Sequence, residues 1–227
     1  MIHNIITKRV IQMNYNKIVF DYINKCNFDE PLFLEEIKQY VINNYKTNEI
    51  NILKKNINVI INRMCKNNIL KQFYKGIYYK PVNNIFGEMP LDKNKVIIKK
   101  YIKDENGNIK GYITGAKLFN QLGLTTQVPN IINIVTNECK NNNEYKNEKL
   151  GVIIRKPKIK IDNDNYMYLQ LFDIINNKDQ INIEVDNEDE IIYSFIEENK
   201  LNFEKIIKYA RVTNNKKILE KLYILAR

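Results

Sequence analysis

With 227 residues, 44% hydrophobic and 27% charged, the chain has an ordinary globular composition and is long enough for one large or two small domains. Three widely spaced cysteines (Cys26, Cys65, Cys139) and a single histidine, His3, argue against a disulfide scaffold and against a zinc site. The net charge of +10 favours polyanionic partners, and without a signal peptide or a long apolar run the expected location is the cytoplasm, with the thiols reduced and no membrane contact.

The chain is crowded with Asn, Ile, Lys and Tyr, as A/T-rich coding produces, so the position of charge says more than its total. Residues 1–80 carry 13 Lys+Arg against 6 Asp+Glu, a net of +7, whereas residues 81–227 carry 23 against 20, a net of +3. From Ile50 to Lys80 there is no acid, while Lys54, Lys55, Arg63, Lys66, Lys71, Lys75 and Lys80 are basic. A basic partner surface is therefore expected near the N-terminus.

In chain order, Lys17–Cys26 reads as an amphipathic helix with Ile18, Tyr22 and Ile23 on one side. Pro31 is expected in the first turn of a second helix, "PLFLEEIKQYVINNY", with Glu35 and Glu36 early in it. Thr47 or Asn48 then caps a third helix from about Glu49 to Asn67. In that helix Ile50, Leu53, Ile57, Ile60, Ile61 and Met64 form an apolar stripe. Asn51, Lys55, Asn58, Asn62 and Lys66 fall on the opposite face, which carries the amides and long cations that touch phosphates and base edges. Ile52 and Val59 lie off the stripe, so another helix is expected to cover them.

"ILKQFYKGIYYKP" reads as a β-hairpin with Gly76 in the turn and Lys71, Lys75 and Lys80 along it. Three helices and a hairpin follow the order of a winged helix-turn-helix, whose third helix enters the major groove while the wing holds backbone. On this reading Lys54, Lys55, Asn58, Asn62 and Lys66 face the groove. Lys71, Lys75 and Lys80 face phosphates, and Asn58 and Asn62 are the candidates for adenine contact. The alternative is a protein-interaction module whose basic helix meets an acidic partner.

Little periodicity follows Pro81, so the domain boundary is placed there: an N-terminal domain 1–81 and a C-terminal domain 82–227. Asp92 can cap a helix through Tyr101, and "DENGNIKG" is a turn-rich hinge. "GYITGAKLFNQLGLTTQVP" reads as a strand, a helix over Ala116–Leu122 that Gly123 ends, and an extended segment. Strands are expected at 130–137 and 151–161 around a polar loop, with Arg155, Lys156, Lys158 and Lys160 on the second. Helices are expected at 165–177, 188–200, 203–212 and from Thr213 or Asn214 onward. The fold class is α+β, an N-terminal winged helix-turn-helix and a larger mixed domain ending in helices.

No active site emerges from the residues. Ser194 is the sole serine and sits in an apolar helical pattern, a Ser–His or Cys–His pair would have to recruit His3, and no phosphate-cradling glycine loop is present. The densest acids, Glu184, Asp186, Glu188, Asp189 and Glu190, stand at a helix start, where they complement the helix dipole. No metal, cofactor, small-molecule substrate or catalytic residue is expected. The rival from another class is a metal-dependent nuclease or nucleotide-processing enzyme tethered to DNA.

The segments "GIYYKP…FGEMP", "GYITGAKLFNQLGLTTQVPN", "GVIIRKPKIKI" and "YLQLFDII" resemble the AbiEi-type antitoxin family of bacterial type IV toxin–antitoxin systems. The resemblance implies an N-terminal winged helix that binds double-stranded DNA at its own operon promoter and represses it. It further implies a non-enzymatic C-terminal domain that neutralises a nucleotidyltransferase-like toxin, a partnership that need not be a stable complex. Relatives carry an arginine-rich wing where this chain has lysines, which bind phosphate as point charges without arginine's bidentate fork to guanine.

Overall fold

A computed structural model describes residues 15–45, 47–85 and 87–225; His3 lies outside them. The fold is α+β, in two compact units, Met1–Val96 and Ile97–Arg227, each with its own hydrophobic core.

In the first unit, helix α1 covers residues 15–25. Strand β1 (Leu32–Phe33), helix α2 (Leu34–Asn44), helix α3 (Ile50–Lys66) and the hairpin strands β2 (Lys71–Tyr74) and β3 (Ile77–Tyr79) follow. The three strands form an antiparallel sheet in the order β1-β3-β2, with Leu32 opposite Tyr78. The Leu34 amide donates to the Gly76 carbonyl at 2.9 Å, which ties the start of α2 to the hairpin turn. Gly76 has φ 78°, the left-handed conformation that a glycine adopts without steric cost.

The apolar stripe of α3 forms as its spacing predicts from Leu53 onward, while Ile50, expected in it, stands 42% exposed in the first turn of the helix, before the core begins. Leu53, Ile57, Ile60, Ile61 and Met64 are buried against Val19 and Ile23 of α1 and Ile37 and Val41 of α2 in one core. Two expectations for this unit need correction. Pro31 precedes a strand, not a helix, because pairing with β3 holds Leu32 and Phe33 extended and delays α2 to Leu34. Residue Glu49, not Thr47 or Asn48, occupies the N-cap of α3, while the Thr47 hydroxyl accepts from the Glu49 amide at 3.1 Å.

The unit does not end at Pro81. Strands β4 (Val82–Asn84) and β5 (Gly87–Met89) form a second hairpin. The Glu88 carboxylate pairs with Lys71 and accepts from the Tyr79 hydroxyl at 3.4 Å, and Lys95 bonds Asp29 at 2.6 Å. These ties hold residues 82–96 to the first unit, so the break falls inside helix α4 (Lys93–Ile97) and not at 81/82.

In the second unit a π-helical turn, Ile98–Ile102, leads to a tight turn in which Asp104 accepts from the amides of Asn106 and Asn108. The expected hinge is thus a closed turn within this unit. Strands β6 (Gly111–Thr114), β7 (Ile132–Thr136), β8 (Tyr145–Asn147) and β9 (Val152–Arg155) make a sheet in the order β6-β7-β9-β8. The β7/β9 pair is parallel and the other two pairs are antiparallel. Strand β8 lies inside the expected polar loop; three residues show no alternation and gain strand geometry by pairing with β9. Gly111 is enforced by space, since a Cβ there would stand 2.2 Å from the Tyr101 carbonyl oxygen.

Helix α5 (Ala116–Gln121) joins β6 to β7, and helices α6 (Tyr166–Asn177), α7 (Glu188–Glu198), α8 (Phe203–Val212) and α9 (Lys216–Leu225) complete the unit. Helix α6 packs on β6, and Leu169 and Phe172 share a core with Tyr112 and Val135. No helix among the described residues is long and apolar enough to cross a membrane.

Candidate nucleic-acid interface

The buried stripe of α3 fixes what its other face presents. Lys54, Lys55, Asn62, Arg63 and Lys66 are exposed, and no acid forms an ion pair with any of these four cations among the described residues. Arg63, which was not among the expected contact residues, joins this surface in the last turn of the helix. Its place on the water-facing arc was legible from the same helical spacing.

Asn58 is half-buried, and its Oδ1 is turned inward with no hydrogen-bond partner. In that rotamer it does not offer a bidentate edge to adenine, so of the two expected amide readers Asn62 alone is presented outward. An unpaired buried acceptor costs about 1–3 kcal/mol, which rotation of the amide into a polar partner would recover.

Among the described residues no helix covers Ile52 and Val59, contrary to expectation. Ile52 is 51% exposed and Val59 46% exposed, so both aliphatic side chains stand among the cations of the outward face. Helices α1 and α2 occupy the opposite side of α3, where the core forms.

The three hairpin lysines part company. Lys75, beside Gly76 in the turn, is exposed and available. Lys71 is half-buried and paired with Glu88, whose hydrogen bond raises the lysine pKa. Lys80 is 7% exposed; its ammonium donates to the Cys26 carbonyl and lies 4.4 Å from the centroid of the Phe28 ring. Its assignment to phosphate contact is therefore corrected, because the charge is spent inside the unit.

In the second unit, cations of the arm after β9 are engaged: Arg155 bonds Asp173 at 2.5 Å, Lys158 donates to the Thr213 carbonyl at 3.2 Å, and Lys156 reaches Asn142 at 3.4 Å. Burial, followed by the Asp173 carboxylate beside it, holds the Tyr112 phenol well above its ordinary value of 10.0. The sheet register places Tyr112, Val135 and Arg155 in one row and Thr114, Asn133 and Ile153 in a second row two residues further along, on the same face. The second row lines a polar cleft of about 620 Å³, bordered by Asn176, Asn177 and Gln180 at the end of α6, and the Thr114 hydroxyl there is buried without a partner.

The acidic segment before α7 is also engaged. Glu184 accepts from the Thr126 amide at 2.8 Å and from its hydroxyl at 2.6 Å, and these bonds lower its pKa. Glu188 pairs with Lys178 at 2.6 Å. The glycine- and threonine-rich stretch before Pro129 thus owes its defined path at Thr126 to Glu184. Among the described residues no three His, Cys, Asp or Glu side chains converge as metal ligands.

The class defined so far is a two-unit α+β protein with an outward basic helix. A family profile described as a family of unknown function, DUF6088, matches residues 38–165, and the chain belongs to that family. The matched residues include both α3 and the four-stranded sheet of the second unit. No curated protein matches the chain.

Proposed function

We propose that this protein is a DNA-binding autorepressor and the antitoxin of a type IV toxin–antitoxin pair, acting in the cytoplasm without enzymatic activity of its own. The first unit is the winged helix-turn-helix, with α3 as recognition helix and β2–β3 as wing. Support comes from the element order helix, strand, helix, helix, hairpin, with β1 completing the sheet beside β3. The observation that carries the reading is the outward face of α3, whose four cations have no acid between Ile50 and Lys80 in sequence and no ion-pair partner among the described residues. The antitoxin half, with a nucleotidyltransferase-like toxin as functional partner, rests on the sequence resemblance.

Lys54, Lys55, Arg63, Lys66 and Lys75 supply the charge that displaces counterions from the duplex. Salt titration of binding to the DNA upstream of the gene, against scrambled DNA of equal length, tests the reading. Preferential binding with a log–log salt slope on the order of −4 is expected if these five cations reach phosphates. Equal binding to both sequences removes the operator-reading role, and no binding assigns the basic helix to an acidic protein partner. Co-expression with the neighbouring toxin gene tests the second half, with rescue of growth as the expected outcome.

A further inference from the structure

Ile52 and Val59 are exposed aliphatic side chains on the outward arc of α3 that phosphate binding leaves unexplained, whereas Ile50, 42% exposed in the first turn, belongs by spacing to the core side. A helix face held against DNA only by charge has no use for branched aliphatic side chains half exposed to water. Seven residues separate the two, which at about 100° per residue brings them back to nearly the same angle on the helix. The same interval at 1.5 Å per residue sets them roughly 10 Å apart along the axis, close to three base-pair steps of 3.4 Å. In the major groove the thymine C5-methyl is the apolar group that a base edge offers.

We infer that Ile52 and Val59 read the methyl groups of two thymines about three base pairs apart, making A·T pairs the sequence class that α3 selects. The inference rests on the proposed DNA-binding role of this helix and names its substrate class. The neighbouring side chains suit the same pairs. Asn62 presents an outward amide of the type that pairs with adenine N6 and N7. Arg63 and Lys66, in the last turn, carry long cationic side chains suited to backbone phosphates. Charge selects DNA over a second copy of this chain as the occupant, because two such faces would set like charges together.

The test uses the full chain and duplex DNA selected by it from a random library. Each thymine of the selected site is replaced in turn by deoxyuridine, which removes only the methyl group, and binding is measured by fluorescence anisotropy at one fixed salt concentration. The expected result is a loss of about fourfold at each of two positions roughly three base pairs apart, the worth of one buried methyl-sized group. One of these losses should vanish in Val59→Ala and the other in Ile52→Ala. Both variants keep the core intact, since neither side chain belongs to it, and thermal unfolding checks this. Equal binding of thymine and uracil DNA, or a selected site poor in thymine, overturns the inference while leaving DNA binding standing. Failure to bind any duplex overturns the inference together with the reading beneath it.

Discussion

Lys80 holds its ammonium 4.4 Å from the centroid of the Phe28 ring while donating to the Cys26 carbonyl, so one lysine ties the end of β3 to the segment between α1 and β1. The cation–π contact contributes about 0.5–1 kcal/mol at an exposed ring, and the hydrogen bond engages the Cys26 carbonyl just after helix α1.

Lys80 and Lys75 should therefore respond differently to truncation. Lys80→Ala is expected to destabilise the first unit by about 1 kcal/mol, because it removes the hydrogen bond to the Cys26 carbonyl and the contact with the Phe28 ring. Its effect on the salt slope of DNA binding should be nil. Lys75→Ala should leave stability within about 0.5 kcal/mol and flatten the slope by about 1. Urea unfolding and salt titration of both variants read the difference; a reversed pattern would restore Lys80 to the wing surface.

The Arg155–Asp173 pair is asymmetric in burial, with Asp173's side chain 12% exposed and Arg155's 37% exposed. Arg155→Met should cost about 3 kcal/mol, since it leaves a carboxylate uncompensated in a low-dielectric site. The double variant Arg155→Met/Asp173→Leu should recover much of that loss. A double variant no more stable than the single one would show that the pair contributes more than charge compensation.

Tyr112 gives the second unit a defined alkaline response. Its folded pKa is raised above 10.0, so its contribution is intact below the unfolded pKa and is lost as pH rises through the folded value. The unfolded chain releases the phenolic proton first, and deprotonation then draws the equilibrium toward it. Tyr112→Phe should make stability less sensitive to pH above about 10. Unfolding monitored by circular dichroism across that range is the measurement, and identical alkaline profiles would contradict the assignment.

Glu184 works in the opposite direction. Its folded pKa lies below the ordinary 4.5, so the hold on Thr126 is present above the unfolded pKa and fades as pH falls through the folded value. The Thr126 amide resonance should follow a titration below 4.5, and Glu184→Gln should abolish that titration and speed amide exchange at Thr126. An unaltered Thr126 resonance in the variant would refute the tie.

The elements legible beforehand are those whose signal is local. The stripe from Leu53 to Met64 repeats at helical spacing whatever packs on it, and Gly76 between two β-prone runs marks a turn by its own conformational freedom. The same spacing also fixed which side of α3 carries Lys55, Asn62 and Lys66. In the second unit the helices from α6 onward were readable for the same reason, as was the stop at Gly123, whose φ is 75°.

Tertiary contacts decided the rest. Strands β1 and β8, two and three residues long, have no periodicity to read and exist because β3 and β9 offer them backbone partners. The domain break moved to Val96 because Glu88 reaches Lys71 and Lys95 reaches Asp29, across 17 and 66 residues of chain. Lys80 looked like another wing cation until a carbonyl 54 residues away claimed it. Ile52 and Val59 looked covered, and only the placement of α1 and α2 on the other side of α3 leaves them open to water. The sequence by itself determined that a basic, acid-free helix would form and which residues would share its faces, because helical periodicity is a property of the chain. Which of its charges remain free, and which apolar side chains stay exposed, depended on partners distant in sequence, and those are chosen only when the chain packs.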